Sequence, residues 1–317
     1  MKTNTENNVY QSERPILTIG YATHNRKKCI QKRLESIISK DIPANIEIIV
    51  VDNASTDGTY ELVEEMAMGT SIKAFRNDKN LGFAGNFIQV LKKSKSDYVL
   101  WSSDEDEINL DGIDTLFEWL KRTNCDSVCL NHYRKEESGS FTSLRKNRTR
   151  LIKANEIWCT SHLPGIVWNR NTALEHLHDW AEVEAEYPQL ARFYPNMLLL
   201  MRIIPYKKSY FYNGYITYQK DFENSQHAPQ DGNAYFHLVP RWLQHKEMIS
   251  FVNASSMKAS DDQVARYFSQ MRKYLNQGLY DFLAEAIRQE SAESYLYFSK
   301  SSTPSYILTR NYRLLVL

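Results

Sequence analysis

The ten residues YVLWSSDEDE, at positions 98–107, join a short apolar run to a cluster of acids. The apolar run is typical of a buried strand. Asp104 and Asp106 follow it two residues apart, so an extended chain projects their carboxylates to one side. Crowded carboxylates repel one another unless a positive charge lies close by, and a divalent metal ion is the simplest one. The alternative is a solvated acidic loop before the helix predicted at residues 110–121, since acids favour the positive end of a helix.

The chain before this stretch predicts an α/β protein. Mainly apolar runs predict strands at residues 15–20 and 46–51, and a third strand is predicted at 71–75. Amphipathic patterns predict helices after the first and third strands, and a short helix is predicted after the second. This alternation predicts a mainly parallel central sheet with helices on both faces. No Gly-x-Gly-x-x-Gly follows the first strand and no phosphate-loop motif is present. Both absences disfavour a dinucleotide dehydrogenase or a phosphate-loop NTPase.

A polar loop follows each predicted strand. The four loops lie at residues 23–26, 52–53, 80–82 and 104–106. Ligands of such sheets bind at the carboxyl ends of the strands, which is where all four loops fall. Four polar loops in succession therefore predict a nucleotide site.

The composition excludes some classes of protein. The chain of 317 residues has 39 Lys and Arg against 38 Asp and Glu, so its net charge of +1 gives no general basic field for nucleic acid. Four cysteines without a Cys-x-x-Cys pair fit a reducing compartment. Residues 1–14 are polar and are predicted to be disordered, and no apolar run approaches the roughly 20 residues of a membrane span. We therefore expect a soluble cytoplasmic protein with no nucleic-acid partner.

Four stretches together resemble a known family. They are PILTIGYATHNR at residues 15–26, IEIIVVDNASTDGT at 46–59, RNDKNLGFAGNF at 76–87 and DYVLWSSDEDE at 97–107. In order and spacing they resemble the nucleotide-sugar-binding half of family-2 glycosyltransferases of the A-type fold, over roughly residues 15–120. The resemblance is closest to bacterial enzymes that add sugars to surface polysaccharides, namely capsule and O-antigen transferases of the abequosyltransferase-like type.

The resemblance implies a role for each loop. The donor nucleotide would contact Thr23, Asn25, Arg26, Asp52, Asn53, Asn80, Gly82 and Asp104. Asp52 would accept a hydrogen bond from the base, most often uracil, although by itself it could simply end its strand in an Asx turn. Gly82 would let the diphosphate approach the backbone. Asp104 and Asp106 would be the D-x-D pair that binds Mn²⁺ or Mg²⁺, and this metal ion would neutralise charge on the departing diphosphate.

The resemblance weakens beyond about residue 125. Pro164 and Gly165 would form part of the wall around the donor sugar or the acceptor. An inverting transfer needs a general base for the acceptor hydroxyl, and in many family members an acidic pair at the start of a helix supplies it. Pro195 and Asn196 stand at that place here. The base candidates that remain are Glu184, Glu186 and His162.

The resemblance and the pattern of the remaining sequence together divide the chain into predicted regions. Residues 15–125 form the nucleotide-sugar-binding half, residues 126–234 the acceptor-binding half of the same domain, and residues 235–317 a helical C-terminal extension. The mixture of Arg and apolar residues at 306–317 could contact the inner face of a membrane or a second subunit. The pair Asn213-Gly214 between apolar runs predicts a hairpin.

These features predict a metal-dependent, inverting glycosyltransferase. Its donor would be a nucleotide-diphosphate sugar, with a UDP-sugar favoured, and its acceptor a surface polysaccharide or lipid-linked glycan. The missing acidic pair leaves open a nucleotide-binding scaffold without catalytic activity. A nucleotidyltransferase is the other alternative, but that class needs a Gly-rich basic loop after the first strand, and YATHNRKK at residues 21–28 contains no Gly.

Overall fold

A computed structural model gives the fold of most of the chain. It describes residues 15–104, 106–135, 141–143, 148–160, 165–219 and 238–289. The segment predicted to be disordered, residues 1–14, and the tail at residues 306–317 lie outside the described residues.

The first part of the chain forms the predicted parallel sheet. Its elements are β1 (Leu17–Thr23), α1 (Lys27–Ile38), β2 (Ile46–Asp52), α2 (Thr59–Ala67), β3 (Ile72–Arg76), α3 (Gly82–Lys93) and β4 (Tyr98–Ser102). The four strands are parallel, in the order β3-β2-β1-β4. This arrangement confirms the predicted alternation and puts the four polar loops at one edge of the sheet.

The rest of the chain extends this sheet and makes it mixed. Its elements are β5 (Asp106–Ile108), a 3₁₀ turn (Leu110–Gly112), α4 (Ile113–Thr123), β6 (Ser127–Lys135), β7 (Phe141–Ser143), β8 (Arg150–Leu151), a second 3₁₀ segment (Ala154–Thr160), β9 (Ile166–Asn169), α5 (Arg170–Glu175), α6 (Trp180–Glu186), α7 (Pro188–Phe193), α8 (Pro195–Ile203), β10 (Ser209–Gln219), α9 (Leu238–Lys258) and α10 (Asp262–Gln289). The strand order continues from β4 as β9-β6-β10-β5, with β9 antiparallel to both β4 and β6.

The hairpin predicted around Asn213-Gly214 is wrong. Residues 209–219 form one strand, β10, which pairs in parallel with β6 on both sides of a register shift between Tyr212 and Thr217. The turn-forming pair is therefore accommodated as a bulge, because strand pairing continues beyond it on the same partner.

Helices cover both faces of the sheet. Trp101 and Trp168 lie in the core on the α3 side, together with residues of α8, α9 and α10. Leu34 of α1 and Phe117 of α4 lie in the core on the other face. Met248 of α9 and Phe268 of α10 are buried in the core on the α3 side. Both C-terminal helices therefore pack against the sheet. Across the described residues, no helix is long and apolar enough to cross a membrane.

The buried carboxylate of Glu47 in β2 links the amino ends of β1, β3 and β4 through hydrogen bonds. One of its oxygens accepts hydrogen bonds from the Thr18 hydroxyl (2.6 Å) and the Lys95 backbone N–H (2.9 Å), and the other lies 2.6 Å from Lys73 Nζ. Burial by itself would raise the pKa of Glu47, but the hydrogen bonds from Lys73, Thr18 and Lys95 outweigh it and lower the pKa below its ordinary value.

We expect Glu47→Gln to lower the free energy of unfolding at pH 7 by about 1–3 kcal/mol, the cost of impairing a buried hydrogen-bond network. Because the pKa of Glu47 is lower in the folded state, the ionised form stabilises the protein above the unfolded-state pKa of about 4.5. This contribution is lost as the pH falls through the folded-state pKa. Urea unfolding of both proteins from pH 7 to pH 3 measures the difference. The matched control is Glu65→Gln on the exposed face of α2, and a difference that does not change with pH would contradict the assignment.

Candidate active site at the carboxyl ends of the strands

The strand register brings the predicted loops into contact. Thr23 at the end of β1 lies beside Asp52 at the end of β2, and Asp52 lies beside Arg76 at the end of β3. The Thr23 hydroxyl donates to Asp104 Oδ2 over 3.1 Å, which links β1 to the acids after β4. The predicted donor residues thus share one edge of the sheet, although they are up to 81 positions apart in the chain.

Asn25 joins the loop after β1 to the loop after β2. It has a positive φ of 51°, a backbone conformation that Asn tolerates better than most residues. Its N–H donates to Ser55 Oγ over 2.8 Å, and its Oδ1 accepts from the Thr56 N–H over 2.8 Å. In this geometry the Asn25 side chain holds the loops together.

Asp52 is fully buried and uses its two oxygens differently. Oδ2 accepts from the Ser55 N–H over 3.0 Å and lies 3.6 Å from Arg76 Nε. This hydrogen bond comes from the N–H three residues on, whereas an Asx turn uses the N–H two residues on, so it does not confirm the Asx turn considered for this residue. Oδ1 is also buried, and it has no hydrogen-bond partner among the described residues. A buried carboxylate oxygen without a donor is costly, so it is suited to accept from an N–H group of a ligand.

Asn53 positions the loop between β3 and α3. Its amide donates to Asn80 Oδ1 (2.7 Å) and to the Gly82 carbonyl (3.1 Å), and its Oδ1 accepts from Asn77 (2.9 Å). Asn77 donates in turn to Asn86 of α3 over 3.0 Å. Sequence reasoning missed Asn77 and Asn86. The signal for Asn86 is that it is a polar residue among the apolar positions of α3.

Gly82 leaves open space beside this loop. Its φ is +73°, in the left-handed region that favours glycine, and no atom of the described residues outside its own chain neighbours lies within 4 Å of the place where a Cβ would be. Among the described residues, nothing hinders a ligand from approaching the backbone here, and the contact with a diphosphate that the resemblance implies stays a prediction.

The clustered acids pair with different parts of the protein. Asp104 and Asp106 are 6% and 3% exposed. Asp104 Oδ2 lies 3.0 Å from Arg26 Nε, and Asp106 Oδ1 lies 3.6 Å from His132 Nε2. Glu107 instead pairs with α1, where it lies 2.5 Å from Arg33 Nη1 and accepts from the Ser36 hydroxyl. Glu107 thus joins β5 to α1.

His132 was missed at the sequence level. It is 3% exposed in β6. Its sequence signal is that it closely follows the apolar residues 128–130, as the other polar strand ends follow their apolar runs.

The donor atoms at this edge fit a metal ion that is shared with a substrate. The described residues contain no group of three or more His, Cys, Asp and Glu arranged to hold a metal ion by themselves. Mg²⁺ in phosphate-binding sites is commonly held by one or two carboxylates, with the other positions filled by phosphate oxygens and water. Asp104 and Asp106 supply such a pair, which suits binding together with a diphosphate better than binding alone.

The predicted acceptor-side residues have different placements. Gly165 has a φ of +84°, donates its N–H to the Trp101 carbonyl (3.0 Å) and lies directly beside the end of β4. His162 and Pro164 lie outside the described residues. Glu184 and Glu186 are exposed on α6. Glu186 accepts from the Tyr187 hydroxyl, and within the described part of the chain neither glutamate forms a hydrogen bond or ion pair with the four loops.

A cavity of about 440 Å³ lies elsewhere on the protein. It is lined by Asn124, Cys125, Asp126, Asn169, Tyr206, Lys207 and Lys208. They lie just before β6, at the end of β9 and just before β10. Asn169 pairs with Tyr98 at the start of β4, so the cavity lies at the amino ends of the parallel strands. The cavity therefore lies away from the loops described above.

The sequence from β1 to α5 carries a family signature. Residues 18–178 match the model of Glycosyl transferase family 2, which is half of the chain and includes all four loops. The chain belongs to this family. The Asp52 loop and the Asp104–Asp106 pair of this family member therefore lie within the matched segment.

Curated relatives match this family member over part of their length. It is 23% identical over 202 residues to the abequosyltransferase RfbV of Salmonella typhimurium, covering 59% of this chain and 61% of that protein. It is 28% identical over 166 residues to the poly(ribitol-phosphate) β-N-acetylglucosaminyltransferase TarS of Staphylococcus aureus, covering 44% of this chain and 29% of that protein.

Solved structures share the α/β A-type fold of this family member. TarS residues 1–349 in complex with UDP-GlcNAc superpose with a TM-score of 0.59 at 17% identity, covering 93% of this chain and 76% of that chain. The mannosyltransferase PcManGT of Pyrobaculum calidifontis, in complex with GDP-Man and Mn²⁺, superposes with a TM-score of 0.52 at 14% identity, covering 96% of this chain and 83% of that chain.

Proposed function

We propose that this protein is a metal-dependent, inverting glycosyltransferase. It takes a sugar from a nucleotide-diphosphate donor, with a UDP-sugar favoured, and transfers it to a bacterial surface polysaccharide or lipid-linked glycan. The observation that carries the proposal is the convergence of Asp52, Asp104 and Asp106 at one edge of the sheet, through contacts between loops distant in sequence. Family membership and the names of the relatives support a transferase.

The nucleotide would bind across the ends of β1, β2 and β3. Asp52 Oδ1 lacks a partner among the described residues and would accept from the base. Uracil offers an N–H group for this contact, and TarS, which shares the fold, is solved with UDP-GlcNAc. The diphosphate would pass beside Gly82, where the described residues leave the space next to the backbone open.

Asp104 and Asp106 would hold Mn²⁺ or Mg²⁺, which supplies neutralising charge for the departing diphosphate. Thr23 and His132 would orient these two carboxylates, since each lies against one of them. Gly165 would border the donor sugar beside the end of β4, together with Pro164. The proton of the acceptor hydroxyl would go to a general base, for which the candidates stay His162, Glu184 and Glu186.

The cellular setting forms part of the same proposal. A nucleotide-sugar donor and reduced cysteines suit the cytoplasm. A lipid-linked acceptor would bring the protein to the inner face of the membrane, with the C-terminal extension as the contacting region. A homo-oligomer through the same extension is the alternative use of that region.

A thermal-shift panel of nucleotides and nucleotide sugars, with and without Mn²⁺, tests donor binding. A ligand that binds only the folded state at a hundredfold excess over its dissociation constant stabilises that state by about 2.7 kcal/mol. We expect a metal-dependent increase in Tm with UDP or UDP-sugars that is lost in Asp52→Ala and kept in Asp41→Ala, a control at an exposed carboxylate. An absence of any shift in folded wild-type protein would refute the proposal.

Product-release assays with the same nucleotides and nucleotide sugars separate the alternatives. Binding without release of nucleoside diphosphate, against every acceptor tried, would favour the inactive scaffold that the missing acidic pair suggests. Pyrophosphate release from a nucleoside triphosphate would favour a nucleotidyltransferase.

A further inference from the structure

Arg26 and Asp104 form a shielded ion pair inside the proposed donor site. Arg26 Nε lies 3.0 Å from Asp104 Oδ2, and the side chains are 22% and 7% exposed. The same oxygen accepts the Thr23 hydroxyl over 3.1 Å. A carboxylate oxygen of the D-x-D pair is thus already engaged by a cation that belongs to the protein.

Arg26 is placed where a cation is otherwise unfavourable. It is the N-cap residue of α1, a helix of 12 residues with no acid in its first turn. The positive end of a helix disfavours a guanidinium and favours an anion such as a phosphate group. Asp104 therefore compensates the Arg26 charge across the site, and an incoming diphosphate could take over that function.

On the basis of the proposed function, we propose that Arg26 is a counter-charge that exchanges partners. It neutralises Asp104 before the donor binds, and it moves to the diphosphate when the donor binds with its metal ion. Arg26 and a divalent ion repel each other and compete for the same carboxylate. A diphosphate removes the conflict because it offers anionic oxygens to both cations. Metal ion and nucleotide should therefore bind cooperatively, each strengthening the binding of the other.

The test compares Arg26→Gln with Lys28→Gln, which removes the same charge from an exposed site two residues away. Mn²⁺ is titrated by electron paramagnetic resonance without nucleotide, and UDP and GDP are titrated by calorimetry in EDTA. We expect Arg26→Gln to bind Mn²⁺ about tenfold more tightly and nucleotide about tenfold more weakly, within the usual range of coupling between two sites. Lys28→Gln should match the wild-type protein in both titrations.

A second variant, Arg26→Lys, retains the charge and should keep Mn²⁺ binding close to that of the wild-type protein. Circular dichroism and Tm confirm that all variants are folded. Weaker or unchanged Mn²⁺ binding in folded Arg26→Gln would overturn the exchange. If wild-type protein binds neither UDP nor GDP with Mn²⁺ present, the proposed function fails, whereas the Mn²⁺ comparison still decides whether Arg26 and the metal ion compete.

Discussion

Replacing Asp106 by Asn should reduce transfer by about 10²–10³-fold, the loss typical of removing one group that stabilises charge in the transition state. Asp106 is 3% exposed at the start of β5, and its carboxylate would help to hold the metal ion against the diphosphate. Asn keeps the size of the side chain and removes its charge, so the effect on folding should be small. The variant should also need more Mn²⁺ for half-maximal activity.

The assay measures the nucleoside diphosphate that is released from a panel of nucleotide sugars. The sugar is transferred either to an acceptor or, more slowly, to water. Asp111→Asn is the matched control, because Asp111 is an exposed carboxylate on the neighbouring 3₁₀ turn. Glu107→Gln is a second comparison, since Glu107 pairs with Arg33 and should affect stability more than metal dependence. If Asp106→Asn transfers as fast as the wild-type protein at the same Mn²⁺ concentration, the assignment of this residue to the metal ion is wrong.

Replacing Trp168 by Ala should lower the free energy of unfolding by about 3–5 kcal/mol, the usual cost of truncating a buried aromatic ring. The Trp168 ring is fully buried, with its centroid 5.0 Å from that of Trp101, and Trp101 packs in turn on Phe87. Trp101 lies in β4 and Trp168 in β9, and these two strands pair, so the variant should weaken the core where the parallel and antiparallel parts of the sheet meet. Chemical denaturation followed by circular dichroism measures the change.

Trp168→Phe distinguishes packing from hydrogen bonding. The indole N–H of Trp168 has no hydrogen-bond partner within the described part of the chain, so Phe removes no hydrogen bond and leaves a smaller cavity than Ala does. We expect it to cost much less than Ala. Trp119→Ala, at a partly buried ring on the other face, should also cost less. Equal losses for Trp168→Ala and Trp119→Ala would contradict the role of Trp168 as a central packing residue.

Local patterns in the sequence determined the first half of the fold. The apolar residues 48–51 of β2 identify a central parallel strand, because a strand buried on both faces needs no polar alternation. Polar loops directly after such runs must then lie at one edge of a parallel sheet. The sequence therefore predicted both the sheet and the set of loops, including Asp52, Asp104 and Asp106.

Contacts between distant residues decided the rest. The antiparallel strand β9 lies between β4 and β6, and Asn213-Gly214 is a bulge because β10 pairs with β6 on both sides of it. Of the clustered acids, Glu107 binds α1 whereas Asp104 binds Arg26, although both are carboxylates in one short run. A spacing pattern reports which residues can share a face, but the partner of a buried charge depends on which elements pack against it.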